Sequence, residues 1–180
     1  MRNNKLIFKK GFTLIELIVA LGVFMVVMTM TLSAFLNIID IQKKTEAFRK
    51  VNDNLNFAME AMMREIREGK GYSDTDCSGS DFCFTNKDEK DIKKDIKYQL
   101  NEGGYIERKE GTDEWLRMTS DGIKITNLSF SVRGEETYAS GDRQQPLVII
   151  SIGGESGEKE KLKSKLNLQA TVSQRKLDSQ

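Results

Sequence analysis

The chain has 180 residues, with 28 Lys+Arg against 27 Asp+Glu, a formal net charge of +1, and no histidine. That length suits one domain of ordinary size, and the even balance lacks the basic surplus that a nucleic-acid binder needs. Without histidine the chain has no Ser–His or Cys–His pair and lacks the commonest general base and zinc ligand; one proline and 14 glycines exclude collagen-like and proline-rich classes.

Residues 1–11, MRNNKLIFKKG, carry Arg2, Lys5, Lys9 and Lys10 and no acid. Residues 12–39 follow with 21 apolar side chains out of 28, and Glu16 is the only charged residue between Lys10 and Asp40. About 20 apolar residues at 1.5 Å each cross a hydrocarbon core of about 30 Å, so the stretch predicts a membrane span. Basic residues before it and Asp40 after it place the amino end in the cytoplasm and the remainder outside. A secretory signal peptide fits poorly, because the apolar run exceeds a usual h-region and no A-x-A-like site follows. A carboxylate inside such a span costs a few kcal/mol, which marks Glu16 as functional. The bland alternative is a side chain that snorkels to the interface, six residues after Lys10.

Lys9-Lys10-Gly11-Phe12-Thr13-Leu14-Ile15-Glu16 resembles the leader-peptidase site of type IV prepilins and type II secretion pseudopilins. There a short basic leader ends in Gly, Phe usually follows, and a Glu stands four residues further on. The resemblance implies cleavage between Gly11 and Phe12 by a prepilin peptidase and methylation of the new amino group on Phe12. It also implies that Glu16 pairs with the Phe12 amine of a neighbouring subunit. A buried cation and anion are costly apart and tolerable together, and such a pair would set the register of staggered helices. Losing the leader removes four positive charges and leaves residues 12–180 at −3. One departure stands out: many major pilins carry a proline midway along the apolar segment, whereas Thr31-Leu32-Ser33-Ala34 stands here and the sole proline is Pro146. Gly22 and the Thr29/Thr31/Ser33 group are the residues that could soften the helix.

Residues 40–68 continue the helix as an amphipathic segment. Ile41, Phe48, Val51, Leu55, Ala58/Met59, Met62 and Ile66 recur at three- and four-residue steps, which predicts one packing face. With no proline or glycine from Val23 to Glu68, residues 12–68 can run as one helix of about 57 residues, roughly 85 Å. Gly69 and Gly71 supply the stop. Residues 69–180 then turn to period two: Ile96/Tyr98/Leu100, Leu116/Met118, Ile123/Ile125, Leu128/Phe130/Val132 and Leu166/Leu168/Ala170/Val172. The phase flips across Thr126-Asn127, which predicts a bulge. Leu147–Ile150 is a continuous apolar run and predicts a central strand covered on both faces. Turns are expected at Gly103-Gly104, Gly111–Asp113, Asp121-Gly122, Gly141-Asp142 and Gly153-Gly154, with a charged loop over Gly153–Lys165. The fold class expected is α+β: a long N-terminal helix packed on an antiparallel head, pilin-like in order. The spacing of residues 47–175 is similar to the wide-headed minor pseudopilins of the J type and their minor-pilin relatives.

Smaller signals sit in the loop SDTDCSGSDFCF. Cys77 and Cys83 have the wrong spacing for a C-x-x-C redox or zinc motif; in an extracytoplasmic head they read as one disulfide, with free thiols the alternative. Asp74, Asp76, Ser78 and Gly79 fall at positions one, three, five and six of an EF-hand-like calcium loop, but the twelfth is Thr85 rather than Glu, so they make only a weak calcium site. No G-x-S-x-G spacing and no GK[ST] phosphate loop occurs. No catalytic residue and no cofactor are expected.

The favoured reading is a structural subunit, a minor pilin or pseudopilin of the inner (cytoplasmic) membrane with its head periplasmic or extracellular. Its partners are a prepilin peptidase, other pilins met through the N-terminal helix, and the membrane, with no nucleic acid. The second reading is a signal-anchored sensor or binding module that never polymerises and keeps residues 1–11. An anchored enzyme is the third, without identifiable site residues.

Overall fold

A computed structural model describes residues 11–74, 77, 79–87, 93–134, 145–157 and 159–175. The leader residues 1–10 and the turn expected at Gly141-Asp142 lie outside the described residues. One α-helix, α1 (Leu14–Glu68), precedes eight strands. The chain divides into two units, residues 1–42 and 43–180.

In the first unit every residue from 11 to 38 is exposed. The helix runs unbroken through Gly22 and the hydroxyl residues. Thr29 Oγ1 donates to the carbonyl of Val26 (2.8 Å), Thr31 Oγ1 to that of Val27 (2.8 Å), and Ser33 Oγ to that of Thr29 (3.0 Å). These bonds satisfy polar groups inside an apolar stretch without a second chain.

In the second unit, α1 buries Ala47, Val51, Leu55, Ala58, Met59, Met62 and Ile66. Each large side chain removed from water contributes about 1.5–3 kcal/mol. The expected stripe is corrected at its start: Ile41 and Phe48 are 64% and 45% exposed, and Ala47 opens the buried face. Sequence periodicity reports which side of the helix a residue is on, not how far the covering sheets reach.

α1 ends where its last carbonyls find partners. The Gly69 N–H donates to Glu65 O and Ile66 O, the Arg175 N–H donates to Arg67 O (2.8 Å), and the Tyr72 hydroxyl lies within reach of Ile66 O and Gly69 O. A side chain at Gly69 would collide with the Phe84 ring, so glycine lets the first sheet close onto the helix end.

The first sheet is an antiparallel meander in the order β1 (Lys70–Ser73), β2 (Phe82–Lys87), β3 (Lys93–Leu100), β4 (Ile106–Glu110), β5 (Leu116–Arg117). The second is β6 (Lys124–Arg133), β7 (Leu147–Ser156), β8 (Ser164–Ser173), also antiparallel with β7 central. Phe130 of β6 stacks on Phe82 of β2 with centroids 4.4 Å apart, which ties the two sheets into one core. The β6–β7 register shifts between Ile125 and Asn127, at the expected flip of phase.

Two expectations for β7 are corrected. Its burial alternates, with Val148, Ile150 and Ile152 buried and Leu147, Ile149 and Ser151 only half-buried, so one face is covered rather than two. Gly153 and Gly154 are not a turn but strand residues. A Cβ on Gly153 would run into the side-chain oxygens of Asn127 and Asn167, and one on Gly154 would press Leu55 Cδ2 at 3.2 Å. Two adjacent glycines mark close approach here, and the charged loop shrinks to residues 157–163.

Candidate processing and assembly site

The site residues read from the sequence gather at the start of α1. Thr13 stands just before the first helical residue, and its carbonyl accepts the first helical bond from Leu17 N (3.2 Å). Glu16 N donates to Thr13 Oγ1 (3.3 Å), and Thr13 N donates to Glu16 Oε2 (3.5 Å). This reciprocal pattern is a capping box: a side chain at each end satisfies a backbone donor at the other. Both distances are long, so the closure is loose. The carboxylate also lies in the first turn, where the helix dipole favours negative charge.

The partner of Glu16 within its own chain is a residue that sequence reasoning passed over. The signal was present, since Thr-x-x-Glu before an apolar run is a capping-box pattern. Phe12 precedes the cap and is 84% exposed. Gly11 has a φ outside the left-handed region, and a Cβ added there would meet nothing within 4 Å. Among the described residues, nothing requires glycine at that position.

In the head, Cys77 and Cys83 form a disulfide with Cα atoms 5.5 Å apart, closing the turn between β1 and β2. Asp74 Oδ2 accepts a bond from Val132 N (3.2 Å), and Thr85 Oγ1 donates to Asp95 Oδ1 (3.1 Å). The first and twelfth positions of the calcium pattern thus hold other strands, while Asp76 and Ser78 lie outside the described residues. Among the described residues, no group of three or more His, Cys, Asp or Glu converges.

A second polar cluster, which the sequence did not announce, joins α1 to the first sheet. Glu65 Oε2 accepts from the Tyr98 hydroxyl and from Arg108 Nε (2.9 Å). Arg108 Nη2 reaches Glu110 Oε2 (2.8 Å), and Lys94 Nζ reaches Glu110 Oε1 (2.8 Å). Burial, and then the Glu65 carboxylate, push the Tyr98 hydroxyl well above the usual tyrosine range. Burial pulls the Arg108 guanidinium down, but bonds to Glu65 and Glu110 outweigh it and hold the pKa above the usual value. Hydrogen bonds from Lys94 and Arg108 lower that of Glu110. Every charge here meets an opposite charge, so the cluster fixes the helix on the sheet.

Residues 8–32 match the family described as the prokaryotic N-terminal methylation motif. No curated protein and no solved structure matches the chain. The motif covers Gly11, Phe12, Thr13 and Glu16 and indicates a precursor of the type IV pilin or pseudopilin kind, which a prepilin peptidase processes. α1 is also long and apolar enough to cross a membrane, and its apolar stretch is exposed. The chain is accordingly consistent with a membrane-anchored protein.

Proposed function

We propose that the chain is a minor pilin or pseudopilin, a structural subunit trimmed between Gly11 and Phe12, methylated on Phe12, and assembled through its N-terminal helix into a short filament. In this reading residues 12–39 span the inner membrane and later line the filament core. Residues 40–68 continue the helix, and residues 69–180 form an extracytoplasmic head. The spacing of strands in the head favours the J-type minor pseudopilins. The observation that carries the reading is the methylation motif lying on an exposed apolar helix with a single carboxylate. Gly11 fits it too. Among the described residues nothing needs glycine there, and a peptidase that grips an extended backbone supplies the need.

Intact-mass analysis of membrane-extracted protein tests this. The expected mass lacks residues 1–11 and carries one added methyl. A chain that keeps Met1 in cells with an active prepilin peptidase would overturn the assignment and favour a signal-anchored module.

A further inference from the structure

Sheet edges carry unpaired backbone donors and acceptors, and folded proteins blunt them with short strands, bulges and charges. Among the described residues the two sheets end in β1, β5, β6 and β8, and the first three of these edges are blunted. β1 has four residues and a register shift between Lys70 and Ser73, and β5 has two residues. β6 shifts register between Ile125 and Asn127, and its Ile125 N–H donates to Gly104 O (2.8 Å) and its Val132 N–H to Asp74 Oδ2 (3.2 Å). β8 is different. Its ten residues pair with β7 in an unbroken register from Ser164 opposite Ser156 to Ser173 opposite Leu147. Residues 166–173 contain no charge and no proline. Among the described residues, no backbone group of residues 165–173 bonds to anything but β7.

The core face of β8 is also incompletely covered. Val148, Ile150 and Ile152 of β7 are buried, whereas Leu166, Leu168 and Ala170, one strand further out, are only half-buried. On the opposite face Asn167, Gln169 and Thr171 are exposed. A strand laid beside β8 would bond its alternate outward N–H and C=O groups and set apolar side chains against Leu166, Leu168 and Ala170. Ser164 Oγ donates to Lys44 O (3.1 Å) and the Arg175 N–H to Arg67 O (2.8 Å), so β8 runs beside residues 44–67 of α1 in the same direction. A second β8 keeps both core faces on one side only by pairing antiparallel, which turns its residues 44–67 the opposite way. Side-by-side subunits of one filament share a direction, so a second copy does not suit this edge.

We propose that β8 is a docking edge for an extended segment of a different polypeptide, which adds to the second sheet as a further strand. The edge specifies the chemistry of that segment. Apolar side chains at every second position cover Leu166, Leu168 and Ala170, and uncharged polar ones between them continue the row of Asn167, Gln169 and Thr171. Proline is excluded wherever an N–H must reach β8. The exclusion of a second copy rests on the filament role above, whereas the open edge does not.

The test is hydrogen exchange on the full chain in detergent micelles. The probe is a synthetic peptide of about nine residues, a strand's length, that alternates Val and Thr and is closed by Glu at both ends for solubility. A control peptide of the same sequence is N-methylated throughout, which removes every N–H and leaves every side chain. Alternate amides of residues 165–173, those not bonded to β7, should exchange about tenfold more slowly with the first peptide at about 1 mM and at the unaltered rate with the control. Ala170→Lys puts a charge on the core face of the edge and should abolish the slowing, with the amides of β6 and β7 unchanged as the folding control. If that variant fails to fold, the comparison of the two peptides decides alone. Unchanged rates with the first peptide, or equal slowing by both, would overturn strand addition. Slow exchange of the same amides in the chain alone would overturn it too, assigning the edge to the chain's own residues if independent of protein concentration and to a second copy if it grows with concentration.

Discussion

Tyr98 sits at the centre of the polar cluster that joins α1 to the first sheet, fully buried with its hydroxyl on Glu65. The cluster sets a two-sided dependence of stability on pH. Glu110 is depressed by Lys94 and Arg108, so its contribution is complete above the unfolded carboxylate value of about 4.3 and fades as pH falls through the folded value. Tyr98 is raised, so its contribution is complete below the unfolded tyrosine value of about 10 and is lost as pH climbs above it. Urea midpoints measured across pH should therefore fall at both ends. Tyr98→Phe should remove the part of the alkaline loss that this residue causes and lower stability at neutral pH by about 1.5–3 kcal/mol, as expected for a bond to a charged group. An alkaline limb unchanged in that variant would assign the loss to other groups.

Among the elements, the turn between β1 and β2 is the one held by a covalent bond. Closing the short ring between Cys77 and Cys83 stabilises the head by about 2–3 kcal/mol through chain entropy. Reduction should speed amide exchange across residues 79–82 and leave β6–β8 unaltered, since that sheet shares no residue with the ring. Loss of protection throughout the head would show instead that the bond holds the whole core. The same region shows where the sequence was opaque. β2 carries Phe82 and Phe84 inward, yet its neighbours are a cysteine and a run of polar residues, and β4, IERKE, has one apolar residue among four charged ones. Such strands are held by their partners in the sheet, and period two has too little contrast to reveal them. α1, β3, β6 and β8 were legible because their buried faces alternate cleanly with polar ones. The glycines of β7 misled for a related reason: Gly153-Gly154 reads as a turn locally, and only the approach of Leu55, Asn127 and Asn167 makes it strand.

At the scale of the whole molecule the buried core begins at Ala47 and ends at Val172, inside the second unit, while residues 12–38 of the first unit have an exposed apolar surface and one carboxylate. Folding and assembly can thus be separated by mutation. The motif was legible because Gly11, Phe12 and Glu16 fall within six consecutive residues, but the capping box gives Glu16 a second possible task, and two substitutions distinguish them. Gln at position 16 can still close the box on Thr13 N, whereas Ala cannot. If the carboxylate serves only as a cap, Glu16→Gln should behave as wild type and Glu16→Ala should be weaker. The proposed filament role requires the charge itself, because without it the neighbour's Phe12 amine remains a buried cation at a cost of about 3–5 kcal/mol. In that case Gln and Ala should be equally poor at entering the filament. Both should still insert, since a neutral side chain is easier to place in lipid, and both should keep a folded head. The measurement is co-purification of processed protein with its filament partners at matched expression, together with thermal melting of the head. Recovery of the Gln variant at the wild-type level, with Ala depleted, would show that Glu16 caps its own helix and that the subunit enters the filament by other contacts.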